Sequence, residues 1–108
     1  QQSKMLRACM GEFQRIYASG VRIRNQFGTL FMMKNGLEHG RLGIAATRKL
    51  GGSVVRNRAK RIIRDVFRRH KFARGYDIVV VPNRRLFEAS QSTFEAEFRQ
   101  TLERRLRR

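Results

Sequence analysis

Arg56, Asn57, Arg58, Lys60, Arg61, Arg64 and Arg68 form the densest run of chemically active side chains in the sequence. A further basic pair, Arg48 and Lys49, precedes them. Guanidinium and ammonium groups at neutral pH bind anions and move no protons. The planar guanidinium fork in particular matches the two oxygens of a phosphate. Bond-breaking chemistry would need something else, either clustered carboxylates to hold a metal or a positioned base. The eight acids are scattered, and Asp65, Glu88, Glu95, Glu97 and Glu103 all fall on expected helix surfaces. His39 reads as a turn residue and His70 as the end of a helix. One cysteine, Cys9, with these two histidines cannot build a zinc site. No GxxxxGK[ST] phosphate loop is present. Arg74-Gly75-Tyr76 begins like an RNA-recognition-motif signature, but Asp77 and Ile78 break it. These residues predict a binding protein without catalytic groups or a metal of its own.

The basic run must sit on a helix. At roughly 100° per residue, Val55, Ala59, Ile62, Ile63, Val66 and Phe67 gather on one arc, and Arg58, Lys60, Arg61, Arg64, Arg68 and Lys71 with Asn57 take the other. Only Asp65 interrupts that second arc. Such a face is often simply solvated, but a solvated face normally interleaves acids for i, i+4 support. Arg56 and Arg58 also lie in the first turn, where the helix dipole disfavours cations by about 0.3–1 kcal/mol each. Arginines placed against the local field point to an external anion. The C-terminal helix is the contrast. Glu95 and Glu97 come first, and Arg104, Arg105, Arg107 and Arg108 come last, as the dipole prefers.

Other elements follow from glycine punctuation and periodicity. Met10 to Ser19 reads as a helix stopped by Gly20. Val21 to Lys34 reads as one or two strands broken near Asn25 to Gly28, with a turn at Asn35-Gly36. Leu42 to Thr47 reads as a strand, Gly51-Gly52 leads into a helix from Val54 to about His70, and Asp77 to Val81 reads as a buried strand ended by Pro82. Ser92-Thr93-Phe94-Glu95 fits a capping box for a last helix with Phe94, Phe98, Leu102 and Leu106 at i, i+4 spacing. Mixed strands and helices in 108 residues predict one domain spanning 1–108, an α/β (α+β) two-layer sandwich with about four strands.

The net charge is +17, from 25 Lys and Arg against eight acids, and charge of that size calls for a polyanionic partner. Nucleic acid fits, since each neutralised phosphate releases counterions. A membrane does not. The longest aliphatic stretch, Ile78 to Val81, falls far short of the ~20 residues that span a bilayer. A lone cysteine excludes an internal disulfide and favours a reducing cytoplasm.

Arg41-Leu42-Gly43-Ile44, then Arg48-Lys49-Leu50-Gly51, then Val54 to Arg64 with its Arg-Asn-Arg core closely resemble the protein subunit of bacterial ribonuclease P. The likeness extends to Glu12 through Tyr17 with Ser19-Gly20, and to Tyr76-Asp77-Ile78-Val79. Arg48 stands where that family commonly has lysine, and Ala45 where it has a small hydroxyl residue. The resemblance implies a left-handed βαβ crossover and a partner: a catalytic RNA that, with Mg²⁺, removes the 5′ leader of precursor tRNA. By the same resemblance Arg48, Lys49, Arg56, Asn57, Arg58, Lys60, Arg61, Arg64 and Arg68 bind the catalytic RNA. Phe13, Tyr17 and Phe31 fall where the family lines a cleft for the leader. On sequence alone these three divide about equally between core and cleft, whereas Phe67, Phe94 and Phe98 read as core. Competing readings are a structural ribosomal protein, of similar size and charge, and a protein-only nuclease.

Overall fold

The computed structural model describes the backbone of residues 4–5, 10–69 and 74–106, and side chains within 13–69 and 74–105. Cys9, His70, Lys71, Arg107 and Arg108 lie outside the described residues, as do the side chains of Glu12 and Leu106. The elements in chain order are β1 (Lys4–Met5), α1 (Met10–Ser19), β2 (Val21–Asn25), β3 (Gly28–Lys34), β4 (Arg41–Ile44), α2 (Ser53–Arg69), β5 (Tyr76–Pro82), a 3₁₀ turn (Arg84–Phe87) and α3 (Gln91–Leu106). Four strands make the body of one mixed sheet, and the two-residue β1 extends it, in the order β1-β4-β5-β3-β2. β2, β3 and β5 pair antiparallel, while β4 runs parallel to β5 and β1 parallel to β4. The parallel neighbours β4 and β5 are joined through α2.

Alternation along β3 and β5 builds two separate packings. Leu30 and Met32 of β3, with Ile78 and Val80 of β5, join Ala59, Ile63, Val66 and Phe67 of α2 and Phe94, Phe98 and Leu102 of α3 in the main core. Burying each such large apolar side chain contributes about 1.5–3 kcal/mol. The intervening Phe31, Met33, Val79 and Val81 turn to the other sheet face, where Ile16 of α1 packs on Val79. The sheet is therefore covered by α2 and α3 on one face, and by the short α1 on the other.

Polar pairs fix the hairpins and loops. Asp77, 1% exposed, accepts from Arg41 Nε at 2.8 Å and Nη2 at 2.7 Å, and from Asn35 Nδ2 at 2.9 Å. Arg41 thus belongs to the fold, facing Asp77 in register across β4 and β5. At the β2–β3 hairpin, Asn25 Nδ2 donates to Thr101 Oγ1, and both Gln26 N and Nε2 donate to Glu97, tying the turn to α3. Gly28 starts β3 at φ +147, and a Cβ there would lie 2.2 Å from the Val81 carbonyl oxygen.

Several sequence expectations shift. The strand expected from Leu42 to Thr47 ends at Ile44, although Ala45 N still donates to Val80 O at 2.9 Å before the chain turns away. The expected capping box at Ser92–Glu95 is not the one used. α3 begins at Gln91, and Ser90 caps it by accepting from Thr93 N at 3.2 Å. Ser90 and Thr93 hydroxyls also meet at 2.9 Å, and Glu95 accepts from Arg69. The cap lies two residues upstream of the expected one, so the helix starts earlier and Glu95 pairs with Arg69 of α2 instead of turning back to Ser92. Before it, the 3₁₀ turn was unforeseen. Asn83 caps it by accepting from Arg85 N, and it buries Leu86.

Candidate nucleic-acid interface

α2 carries its basic face because its apolar face is committed to the sheet. Ala59, Ile63, Val66 and Phe67 are buried, with Val55 and Ile62 half-buried beside them. Asn57, Arg58, Arg61, Arg64 and Arg68 are exposed, and Lys60 is half-buried. Arg56 lies closer to the buried arc, and its Nε is buried with no hydrogen-bond partner among the described residues. A polar atom left in that state costs about 1–3 kcal/mol. Arg48 and Lys49 are exposed in the turn leading to the helix, which closes through Leu50 N to Thr47 O and Gly51 N to Arg48 O. Gly51 sits at φ +148, where a Cβ would press on the Val55 side chain at 3.0 Å. Only glycine makes that entry into α2 without strain.

Some cations of α2 have partners among the described residues. Arg69 Nη2 lies 2.8 Å from Glu95 Oε1, and that hydrogen bond raises its pKa further. The Arg58 guanidinium lies over the Phe87 ring, 5.6 Å from its centroid. Such an exposed cation–π contact is worth about 0.5–1 kcal/mol and leaves the charge available while restricting its direction. Arg68 meets Asp65 only at 3.8 Å, a loose contact between exposed side chains.

Phe13, Tyr17 and Phe31 come together away from α2. Tyr17 and Phe31 ring centroids are 4.7 Å apart at 60°, and Phe13 and Tyr17 are 6.2 Å apart at 67°. Phe13 and Phe31 rest on Ile16 and Val79, while Tyr17 is 40% exposed. Burial raises the pKa of the Tyr17 hydroxyl above its ordinary 10.0, so the ring is neutral at physiological pH. Half-buried rings beside an exposed one form an apolar step of inclined ring faces, against which unpaired bases can stack. The rings lie on the sheet face opposite α2. Ala45 links the surfaces: it packs with the aromatic cluster, while Ile44 and Ala46 pack with the main core and the chain then enters the Arg48-Lys49 turn.

Arg22 and Arg24 lie outside the basic residues that the sequence singles out. Both are exposed on β2, and Arg22 is the cross-strand partner of Phe31. Their period-two spacing around the half-buried Ile23 was the available signal, since it puts both on one sheet face. Among the described residues no three His, Cys, Asp or Glu side chains gather as a metal site. No helix there is long and apolar enough to cross a membrane.

The ribonuclease P family profile matches residues 4–106. The chain is 37% identical over 93 residues to a ribonuclease P protein component of Caldanaerobacter subterraneus, covering 84% of this chain and 80% of that one. A counterpart from Thermotoga maritima is 40% identical over 79 residues, covering 71% and 68%. Among solved structures, the Thermotoga maritima RNase P protein superposes with a TM-score of 0.80 at 32% identity, covering 86% of this chain and 90% of that one. A Staphylococcus aureus RNase P protein mutant, described as defective in mRNA degradation activity, gives 0.81 at 30% identity, covering 92% and 85%.

Proposed function

Because this chain belongs to the ribonuclease P protein family and is a protein subunit of that ribonuclease, we propose that its two surfaces divide the work of 5′ maturation. The basic face of α2, with Arg48 and Lys49, holds the catalytic RNA. The aromatic step of Phe13, Tyr17 and Phe31 holds the single-stranded 5′ leader of precursor tRNA. Phosphate contacts on the body that precursor and mature tRNA share cannot separate the two, because both carry that charge equally. Unstacked leader bases can, since only the precursor offers them to a stacking surface.

The observation that carries this reading is the placement of an exposed aromatic step on the sheet face away from the basic helix. One RNA can be gripped by phosphate on one side while another is stacked on the other. Bond cleavage is assigned to the catalytic RNA with its Mg²⁺, and the subunit works in the cytoplasm where precursor tRNA is made. A ribosomal role is not favoured, for it would leave the aromatic step without a purpose.

The test is processing of precursor tRNA by a bacterial catalytic RNA at low Mg²⁺, with and without this protein. The protein should restore cleavage at Mg²⁺ concentrations where the RNA is inactive, and should cleave nothing without the RNA. Metal-dependent cleavage by RNA-free protein, lost on replacing one of its carboxylates, would place the chemistry in the protein and end this proposal.

A further inference from the structure

Among the described residues β2 is the terminal strand of the sheet, and one side of its backbone has no strand partner there. α3 runs beside it, and between them opens a groove of about 430 Å³. Arg22 and Arg24 of β2 form one wall, and Arg104 and Arg105 of α3 form the other, with Gln100 between. One carboxylate, Glu97, faces the same space, and its oxygens already accept from Gln26 N and Nε2. Among the described residues none of the four arginines makes a hydrogen bond or an ion pair.

The helix dipole explains Arg104 and Arg105, which stand in the last turn of α3 where cations are favoured. It does not explain Arg22 and Arg24 on the facing wall, because strand dipoles nearly cancel. Four arginines along one groove raise its positive potential, which an entering anion relieves. A polyanion with regularly spaced charges fits a groove with arginines on both the strand side and the helix side.

The groove also continues the aromatic step. Arg22 faces Phe31 across the β2–β3 ladder, and Phe31 touches Tyr17. From the rings to the edge of β2 is one strand spacing, about 4.8 Å. Bases stacked on Phe31 and Tyr17 would leave their backbone running past Arg22 toward Arg24, Arg104 and Arg105.

We infer that this groove binds the phosphates of the 5′-distal part of the same leader strand, beyond the nucleotides stacked on the rings. The inference rests on the leader reading above and extends it to a second, sequence-independent subsite. Arg104 and Arg105 contact successive phosphates. Arg22 and Arg24 steer the strand over the sheet edge.

The test compares precursor tRNAs with a short leader, ending on the rings, and a long leader that reaches the groove. Affinity for the assembled holoenzyme is measured against salt for wild type, for Arg104→Ala with Arg105→Ala, and for the matching double Lys variant. The long leader should bind the double Ala variant more weakly, with the slope of log affinity against log salt reduced by about 0.7 per lost contact. The short leader should be unaffected, and the double Lys variant should restore the slope. Thermal melts of each free protein keep a folding defect apart from a binding one, and the double Lys variant reports on the groove if the Ala variant unfolds. No change with either leader, or an equal loss with both, overturns the inference. Phe31→Leu run alongside separates the two claims. If it removes leader preference while the double Ala variant does not, the groove fails and the leader reading stands. If both variants leave long-leader binding untouched, both are wrong.

Discussion

Replacing Tyr17 by Leu tests the aromatic step at its most exposed ring. Tyr17 is 40% exposed and touches Phe31 at 4.7 Å and Phe13 at 6.2 Å. Leucine keeps an apolar side chain beside Phe13 and Phe31 but removes the flat face. In the free protein the loss is two ring–ring contacts, each about 0.5–1.5 kcal/mol when buried and less at a position this open. A stability loss of about 1 kcal/mol follows, or roughly 4–8 °C in melting temperature for a domain of this size. In the holoenzyme the loss is a stacking platform worth about 1–3 kcal/mol per base, a 5- to 150-fold weakening by the usual conversion. That weakening should fall on precursor tRNA alone, leaving mature tRNA and the salt slope unchanged. Since Tyr17 and Phe31 touch, combining Tyr17→Leu with Phe31→Leu should cost less than the sum of the two. Paired affinities for precursor and mature tRNA, with thermal melts, decide the matter. A lower melting temperature with the precursor preference intact would return these rings to a purely packing role.

Three further outcomes follow from the same geometry. Arg61→Ala and Arg64→Ala, both exposed on α2, should each weaken catalytic-RNA binding and lower the salt slope by about 0.7–0.9, with unchanged circular dichroism. Ser90→Ala should lower stability by about 1 kcal/mol in urea unfolding, whereas Ser92→Ala should be near neutral, because Ser90 accepts from Thr93 N. Asp77→Asn should be among the most damaging substitutions to stability, at about 3 kcal/mol or more. It leaves Arg41 facing a neutral group in a nearly closed site, and a loss under 1 kcal/mol would contradict the weight given to this pair.

The spacing of Ala59, Ile63, Val66 and Phe67 against Arg61, Arg64 and Arg68 was sufficient to divide α2 into its two faces, because helix periodicity is a local property. Charge composition was likewise enough to call for a polyanion, and the glycines marked where α1 stops and α2 starts. What local pattern could not decide was anything set by contacts between residues far apart in the chain. Ser90 and Ser92 are equally good caps in isolation; the burial of Phe94 and the bond from Arg69 to Glu95 select Ser90. Arg41 looked like one more cation until Asp77, 36 residues away, met it across two parallel strands. Phe13, Tyr17 and Phe31 could have been core, and the sheet's alternation combined with a short α1 leaves Tyr17 uncovered. The facing of Arg22 and Arg24 with Arg104 and Arg105 exists only because β2 ends the sheet where α3 passes, an adjacency with no trace in either segment alone.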